Sequence, residues 1–377
     1  MHSQRADAEA AFGADLFEVL AADDANLVFS PSSAAGALRM AWLGARGQTA
    51  AELARVLHLE NPAHLENTAD PGGAPGPVPH AQGSAVFRAP NTAWLQSGFA
   101  VRPEFTARLS HLAGAVLASA DFATAPERAR ETINAAIAGQ TGGKVTGLLP
   151  PGAVSALTRL VLASAVYLKA AWADPFGADE TDDAPFYPHG PDRPSVAVPV
   201  MHGTATRDYL RGDGYQAVLL PYRDIALAMA VLLPDGPLAA LRPKVAAAGF
   251  AGLLAGAARH RVTLALPRFR LESAFDLIPA LRRLGVTEAF GDEADFGGIT
   301  GTGRLHIDAV AHQAYIDVDE HGTEAAAATA VAIAALAAFQ APPPVTVVVD
   351  RPFLFAILDR ATGQAVFAGQ VSLPRSG

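Results

Sequence analysis

Apolar residues at Phe12, Leu16, Val19 and Leu20 return at helical spacing within residues 5–21, which predicts an opening amphipathic helix. The run 26–33 (NLVFSPSS) predicts a short apolar strand leading into a helix cap. Thr49-x-x-Glu52 has the form of a capping box in front of Leu53, Val56 and Leu57, so a further helix is expected to start at Gly47-Gln48-Thr49. Residues 91–95 (NTAWL) predict a strand, and Thr124-Ala125-Pro126-Glu127 is expected to cap a helix running to about Gly139. The run 160–168 (LVLASAVYL) is continuously apolar, as in a strand buried on both faces. Residues 61–84 are rich in Pro and Gly without periodicity, which predicts a surface loop rather than a domain linker. The pattern over 308–320 alternates through Ile316 and Val318 as a strand does.

The stretch that follows is unusual. After Glu324 no charge occurs until Asp350, and a run of small residues ends at Pro342-Pro343-Pro344. Ala leads the helix-propensity scale, so propensity alone makes 323–338 a helix, but one without a polar face that would have to be fully buried. A membrane span is opposed by the three prolines and by the weak apolarity of Ala. Read as extended chain, Thr323, Ala325, Ala327, Thr329, Val331 and Ile333 share one side, while Glu324, Ala326, Ala328, Ala330, Ala332 and Ala334 share the other. Such a segment fits the middle of a sheet without a clash, yet has too little apolar area to lock itself anywhere beforehand. A stretch compatible with both an exposed state and a buried strand is a candidate switch.

Composition narrows the function classes. At 377 residues the length admits two or three domains, although large single domains are common, and the half of the residues that are hydrophobic can build a large core. A net charge of −9 disfavours nucleic acid and anionic membranes as partners. The absence of cysteine excludes disulfides, thiolate nucleophiles and cysteine metal sites. Residues 1–7 lack the basic-then-apolar pattern of a secretion signal, so either the protein acts inside the cell or a leader has been removed. Of 28 basic residues only Lys144, Lys169 and Lys244 are lysine and no Asn-x-Ser/Thr acceptor occurs; with the Ala excess this has the look of a GC-rich bacterial coding sequence.

Catalytic signatures are missing. There is no Gly-x-Ser-x-Gly elbow, His-Glu-x-x-His pair or P-loop, and no cofactor is expected. Gly298-Ile299-Thr300-Gly301-Thr302-Gly303 lacks the Lys and the strand-to-helix context of a phosphate loop and predicts an ordinary turn. Asp179-Glu180-Thr181-Asp182-Asp183 lacks the ligand spacing of a calcium loop and predicts a solvated acidic loop, with no metal. His202, His260 and His321 are expected at the surface, and nothing supplies a nucleophile–base pair, so a hydrolase is a remote alternative.

Glu320-x-Gly322-Thr323-Glu324-Ala325-Ala326-Ala327-Ala328-Thr329 closely resembles the hinge of the reactive loop in inhibitory serpins. The likeness extends over about 12–374. It takes in residues 26–57 with Leu43-Gly44-Ala45-Arg46-Gly47, Ile133-Asn134 before Thr141-Gly142-Gly143-Lys144, and 169–176 (KAAWADPF). It continues through Leu266-Pro267-Arg268-Phe269 to Ile299 and the C-terminal run from Arg351 to Gly369. The aromatic often found after Asn134 is Ala135 here, and Ser164 stands where relatives usually have Asn. The resemblance implies an α+β serpin fold in a single domain over 1–377. It implies three β-sheets, a large central sheet A plus B and C, about eight to nine helices, and an exposed reactive-centre loop at about 321–345.

It further implies suicide inhibition: a serine protease cleaves the loop, and the freed loop inserts into sheet A and drags the acylated protease along. At about 3.3 Å per residue, some fifteen inserted residues move the ester by roughly 50 Å. The family's seventeen-residue spacing from Glu320 puts Leu336 before and Ala337 after the scissile bond, with Ala335, Ala338 and Phe339 as alternative registers. Leu336 points to chymotrypsin-, elastase- or subtilisin-like partners. Ser30, Ser33, Ser164 and His312 match a polar cluster under the sheet where it opens, and Glu320 with Arg268 matches a charge pair near Trp172 where the loop first enters. No Lys or Arg occurs between Arg55 and Arg88, where heparin-binding relatives carry a basic helix, so no such site is expected; nor is an oligomer. The alternative within the family is a non-inhibitory carrier, chaperone or storage protein, which would be expected to carry charged, bulky or Pro residues within 323–330.

Overall fold

The computed structural model describes residues 2–59, 85–112, 114–301, 305–324 and 343–375. The Pro/Gly-rich stretch 61–84, the end of the glycine turn, and hinge residues Ala325–Thr329 with Leu336 and Ala337 lie outside the described residues.

Seven α-helices occur among the described residues, against the eight to nine expected: α1 (His2–Leu20), α2 (Pro31–Gly44), α3 (Gly47–Val56), α4 (Pro103–Leu109), α5 (Pro126–Gln140), α6 (Arg242–Gly252) and α7 (Ile278–Arg283). The strands are β1 (Leu27–Phe29), β2 (Val86–Arg88), β3 (Asn91–Gln96), β4 (Ala115–Ala120), β5 (Leu160–Ala171), β6 (Thr181–Phe186), β7 (Val196–Gly212) and β8 (Tyr215–Pro221). They continue with β9 (Leu227–Pro234), β10 (Ala258–Pro267), β11 (Phe269–Asp276), β12 (Ala309–Val318), β13 (Gly322–Thr323), β14 (Val345–Val348), β15 (Phe353–Asp359) and β16 (Ala365–Val371).

They form two hydrogen-bonded sheets. One runs β11-β12-β13-β5-β3-β4, with β2 also on β5; the other runs β1-β16-β15-β9-β8-β7-β10-β14, with β6 on β7. The expected sheets B and C merge because β7 is 17 residues long. Its first part holds β6, its last part holds β8, and β10 lies along its other edge.

The uninterrupted apolar run does form a central strand. Leu160, Leu162, Val166, Leu168 and Ala170 of β5 face the main interior, while Val161, Ala163 and Ala165 face α5. Helix α5 lies over Ala163 and Ala165 of β5 and Ala309 and Ala311 of β12, packing on them through Ile133 and Ile137. These short side chains let a helix approach the junction of the two strands. Asn134 fixes the descending chain by exchanging two 2.9 Å hydrogen bonds with the backbone of Leu149.

Three local expectations change. Helix α3 does start at Gly47, but Thr49 and Glu52 do not cap it. Thr49 accepts from the Asp295 N–H at 3.0 Å and Glu52 accepts from the N–H groups of Thr287 and Glu288, because both side chains are buried under the 287–295 segment and satisfy its donors instead. Helix α5 has Pro126 in its first turn and Ala125 at its cap, with no side-chain cap bond; Thr124 turns back to Asp121. The acidic run 179–183 is a 3₁₀ turn followed by β6, whose pairing with β7 makes it an edge strand with Asp182 and Asp183 exposed. Charges on an edge protect it from further pairing.

Candidate functional site

The site is the seam between β5 and β12. These strands pair in parallel from Ala309↔Val161 to Tyr315↔Tyr167, and no covalent connection shorter than the whole intervening chain holds them together. Beneath the seam lies the polar cluster. His312 and Ser164 are direct neighbours in the ladder, and the Ser164 hydroxyl meets His312 Nδ1 at 3.0 Å. The Ser30 N–H, at the cap of α2, donates to His312 Nε2 at 2.9 Å, and Ser33 Oγ lies 2.8 Å from Ser164 Oγ. Both imidazole nitrogens are thus engaged, and burial pushes His312 down to about 4, so it is neutral at pH 7.

Two members were not anticipated. Ser33 Oγ donates to Asn91 Oδ1 at 3.2 Å, and Ser32 Oγ lies 3.4 Å from Ser30 Oγ. The sequence offered only that Asn91 opens the strand at 91–95, and the structure leaves it 3 % exposed, where its amide needs partners.

Above the seam, the chain leaves β12 at Val318, turns through Asp319–Gly322 and comes back down. Asp319 Oδ1 accepts the N–H groups of His321 at 2.8 Å and Gly322 at 3.1 Å, closing the turn. The returning residues form β13 between the two strands: Thr323 pairs with Val318 on one side and Ala170 on the other, and Gly322 pairs with Ala171. A Cβ at Gly322 (φ +153) would strike the Ala170 carbonyl and come within 2.7 Å of Ala171 Cα, so only glycine passes there.

Thr323 is fully buried, and its hydroxyl lies 2.6 Å from the Tyr222 phenol. Tyr222 in turn stacks on Trp172 with ring centroids 4.5 Å apart, while Trp172 Nε1 donates to the Asp319 carbonyl at 2.9 Å. Trp172 therefore supports the turn and the returning strand together. Burial drives the Tyr222 phenol upward, so it stays protonated and available to Thr323.

Glu320 is 2 % exposed. Arg268 Nε donates to it at 2.7 Å, and the Thr181 hydroxyl, which sequence reasoning did not place, donates to the same oxygen. Burial alone would raise this carboxyl, but the bonds from Thr181 and Arg268 outweigh it and the net shift is downward. Asp319, Glu320 and His321 bring three ligand-type atoms within 4.8 Å. The guanidinium of Arg268 already neutralises Glu320, however, and two backbone N–H groups occupy the Asp319 oxygen.

Glu324 leaves extended backbone with φ +50, while its N–H still donates to the Asp317 carbonyl at 2.9 Å. Its carboxylate meets Lys144 Nζ at 2.5 Å. Lys144, which was noted in a motif but given no role, also sits 5.6 Å over the ring of Tyr315.

A sheet whose central pair parts above a polar cluster, with the chain's own next segment seated in the gap, is the architecture of a serpin. The sequence model of the family described as serpin (serine protease inhibitor) matches residues 7–374, and the chain belongs to that family. It is similar to a serpin-like protein of Thermococcus kodakarensis, 35% identical and covering 97% of this chain and 85% of the relative. It is likewise similar to the leukocyte elastase inhibitor of Bos taurus, 35% identical over 98% of this chain and all of the relative. Among solved structures, Serpin48 of the insect Tenebrio molitor superimposes with a TM-score of 0.84 at 29% identity, covering 99% and 98% of the two chains.

Proposed function

We propose that the protein is an inhibitory serpin acting as one domain over 1–377, a monomer that takes no cofactor. Its targets are serine proteases with an apolar primary pocket, chymotrypsin-, elastase- or subtilisin-like, attacked at Leu336-Ala337. The observation that carries this is β13: two loop residues already occupy antiparallel register between β5 and β12.

Continuing that register down the seam would place Ala326 between Tyr167 and Tyr315, and Thr329 between Ser164 and His312. Thr329 shares the side of Thr323, which is the interior face where Ser164 and His312 also point. Parting the strands breaks the 3.0 Å Ser164–His312 bond, and the one hydroxyl of the run 325–338 would arrive where that bond was lost. Every other residue that follows as far as Ala330 is Ala, which adds a backbone ladder without displacing interior side chains.

Insertion replaces one parallel ladder by two antiparallel ones, each added backbone bond being worth about 1 kcal/mol. It also returns Glu324 from the left-handed region to extended backbone, relieving about 1 kcal/mol. Strand addition of this kind, of which serpin loop insertion is itself a standing example, gives affinity through the main chain. The stored difference between the two sheets drives the protease's displacement.

Incubation with chymotrypsin or elastase tests the proposal. A complex that survives SDS supports it; complete cleavage of the loop with no complex refutes it and leaves a non-inhibitory member of the family.

A further inference from the structure

Among the described residues, the α5–β5 linker meets the loop at Lys144. Gly142 and Gly143 both have positive φ, and Gly143 N donates to the Ala138 carbonyl at 2.8 Å, so the linker is wound tightly against the end of α5. Thr141, fully buried, bonds the Ile137 carbonyl at 2.8 Å and accepts from Val145 N at 3.3 Å. Lys144 is thereby delivered to the mouth of the seam. Its ammonium group pairs with Glu324 and covers the face of Tyr315, which with Tyr167 is the uppermost pair of the closed ladder.

When the chain goes further in, Glu324 would meet one cation and one anion, the anion already paired with Arg270. Lys169 and Asp317 are its cross-strand neighbours in the extended register, and Arg270 bonds Asp317 at 2.6 Å on the same face. In that register Lys169 is the cation beside the carboxylate, as Lys144 is in the native arrangement. Lys144 holds it over the seam beforehand, with the Glu324 N–H already on Asp317 and its own backbone at φ +50.

We propose that Lys144 is a positioning residue for loop insertion: by holding Glu324 at the mouth of the β5–β12 seam it seats the hinge, speeds the first step of entry, and so favours trapping over release of the cleaved product. This rests on the inhibitory reading above and specifies how the linker beneath α5 would tune it. A role of this kind acts on partition, and leaves the protease's attack on the loop untouched.

The test compares wild type, Lys144→Ala, Lys144→Arg, Glu324→Gln and the Lys144→Ala/Glu324→Gln pair against one apolar-specific protease. The expected result is that Lys144→Ala raises the inhibitor consumed per protease trapped by about threefold, the scale of a partly exposed ion pair. Initial loop cleavage should be unchanged, Lys144→Arg should restore the wild-type value, and the double variant should be no worse than either single one. Thermal midpoints of the intact variants show whether folding is preserved. Should wild type itself trap no protease, the inhibitory reading fails, and the linker is then judged by nicking each variant with a non-target protease and following the growth of heat resistance. Slower growth in Lys144→Ala supports the guide. Unchanged partition and unchanged growth, a gain in either, or penalties that add in the double variant overturn it.

Discussion

Replacing Thr323 with Arg separates the native sheet from the inserted one. In the native protein Thr323 lies in a strand only two residues long, fully buried, with its hydroxyl 2.6 Å from Tyr222 and Ala170 beside it. A guanidinium in that place would be an unpaired buried cation, costing several kcal/mol, but the native protein escapes by withdrawing β13 into solvent. Withdrawal sacrifices the pairing of two residues and the Tyr222 bond, and water replaces part of both, so the intact fold loses only about 1 kcal/mol.

The inserted sheet has no such escape, since residue 323 must stay between Ala170 and Val318 for the rest of the loop to follow. If about 3 kcal/mol falls on the insertion barrier, insertion slows roughly 100-fold while deacylation is unaffected. The variant should therefore behave as a substrate, its stoichiometry of inhibition rising more than about tenfold, whereas Thr323→Ser should stay near wild type. The assay is titration of chymotrypsin or elastase, read by residual activity and by SDS-resistant complex on gels. Retained trapping at wild-type stoichiometry in Thr323→Arg would refute insertion through this register.

Three further outcomes follow from the same geometry. Because His312 sits at about 4 when buried and near 6.5 when unfolded, the unfolded chain binds more protons between those values, and stability present above pH 6.5 is lost as pH falls. By pH 5 the loss should reach about 2 kcal/mol in urea unfolding, and His312→Gln should flatten that slope. Gly322→Ala should expel the hinge through its clash with the Ala170 carbonyl, raising the stoichiometry of inhibition while the core melts as before. Thr329→Val, which keeps the shape and removes the hydroxyl, should lower the heat resistance of the cleaved form by about 1–3 kcal/mol and leave the intact form unchanged, as a partner lost only after insertion requires.

The central strand was legible because nothing but a two-sided burial explains LVLASAVYL at 160–168, and β5 is buried along that run. At the hinge the alternation admits a strand while propensity favours a helix without a polar face, and of residues 323–338 only Thr323 and Glu324 lie among the described residues, Thr323 in β13. The serine–histidine cluster came from the family resemblance, and the structure does bring Ser30, Ser33, Ser164 and His312 together.

What local patterns could not carry was pairing across the chain. Thr49 and Glu52 satisfy the rule for a capping box, yet residues about 240 positions away needed acceptors and took them. Thr181, in a run that locally reads as solvated acid, donates to Glu320 from an edge strand 139 positions distant. Tyr222 and Lys144 have no local mark of their roles, since both acquire them only when the turn at 319–322 folds back over the seam.

The most direct measurement is a pair of heating curves, one for the intact protein and one for protein nicked in the loop by a non-target protease. If the native sheet is the less stable of the two arrangements, the nicked sample should melt about 10–15 °C higher, as a gain on the order of 10 kcal/mol implies for a domain of this size. Coincident curves, in a sample shown by mass to be fully cleaved between Thr329 and Pro342, would contradict the account.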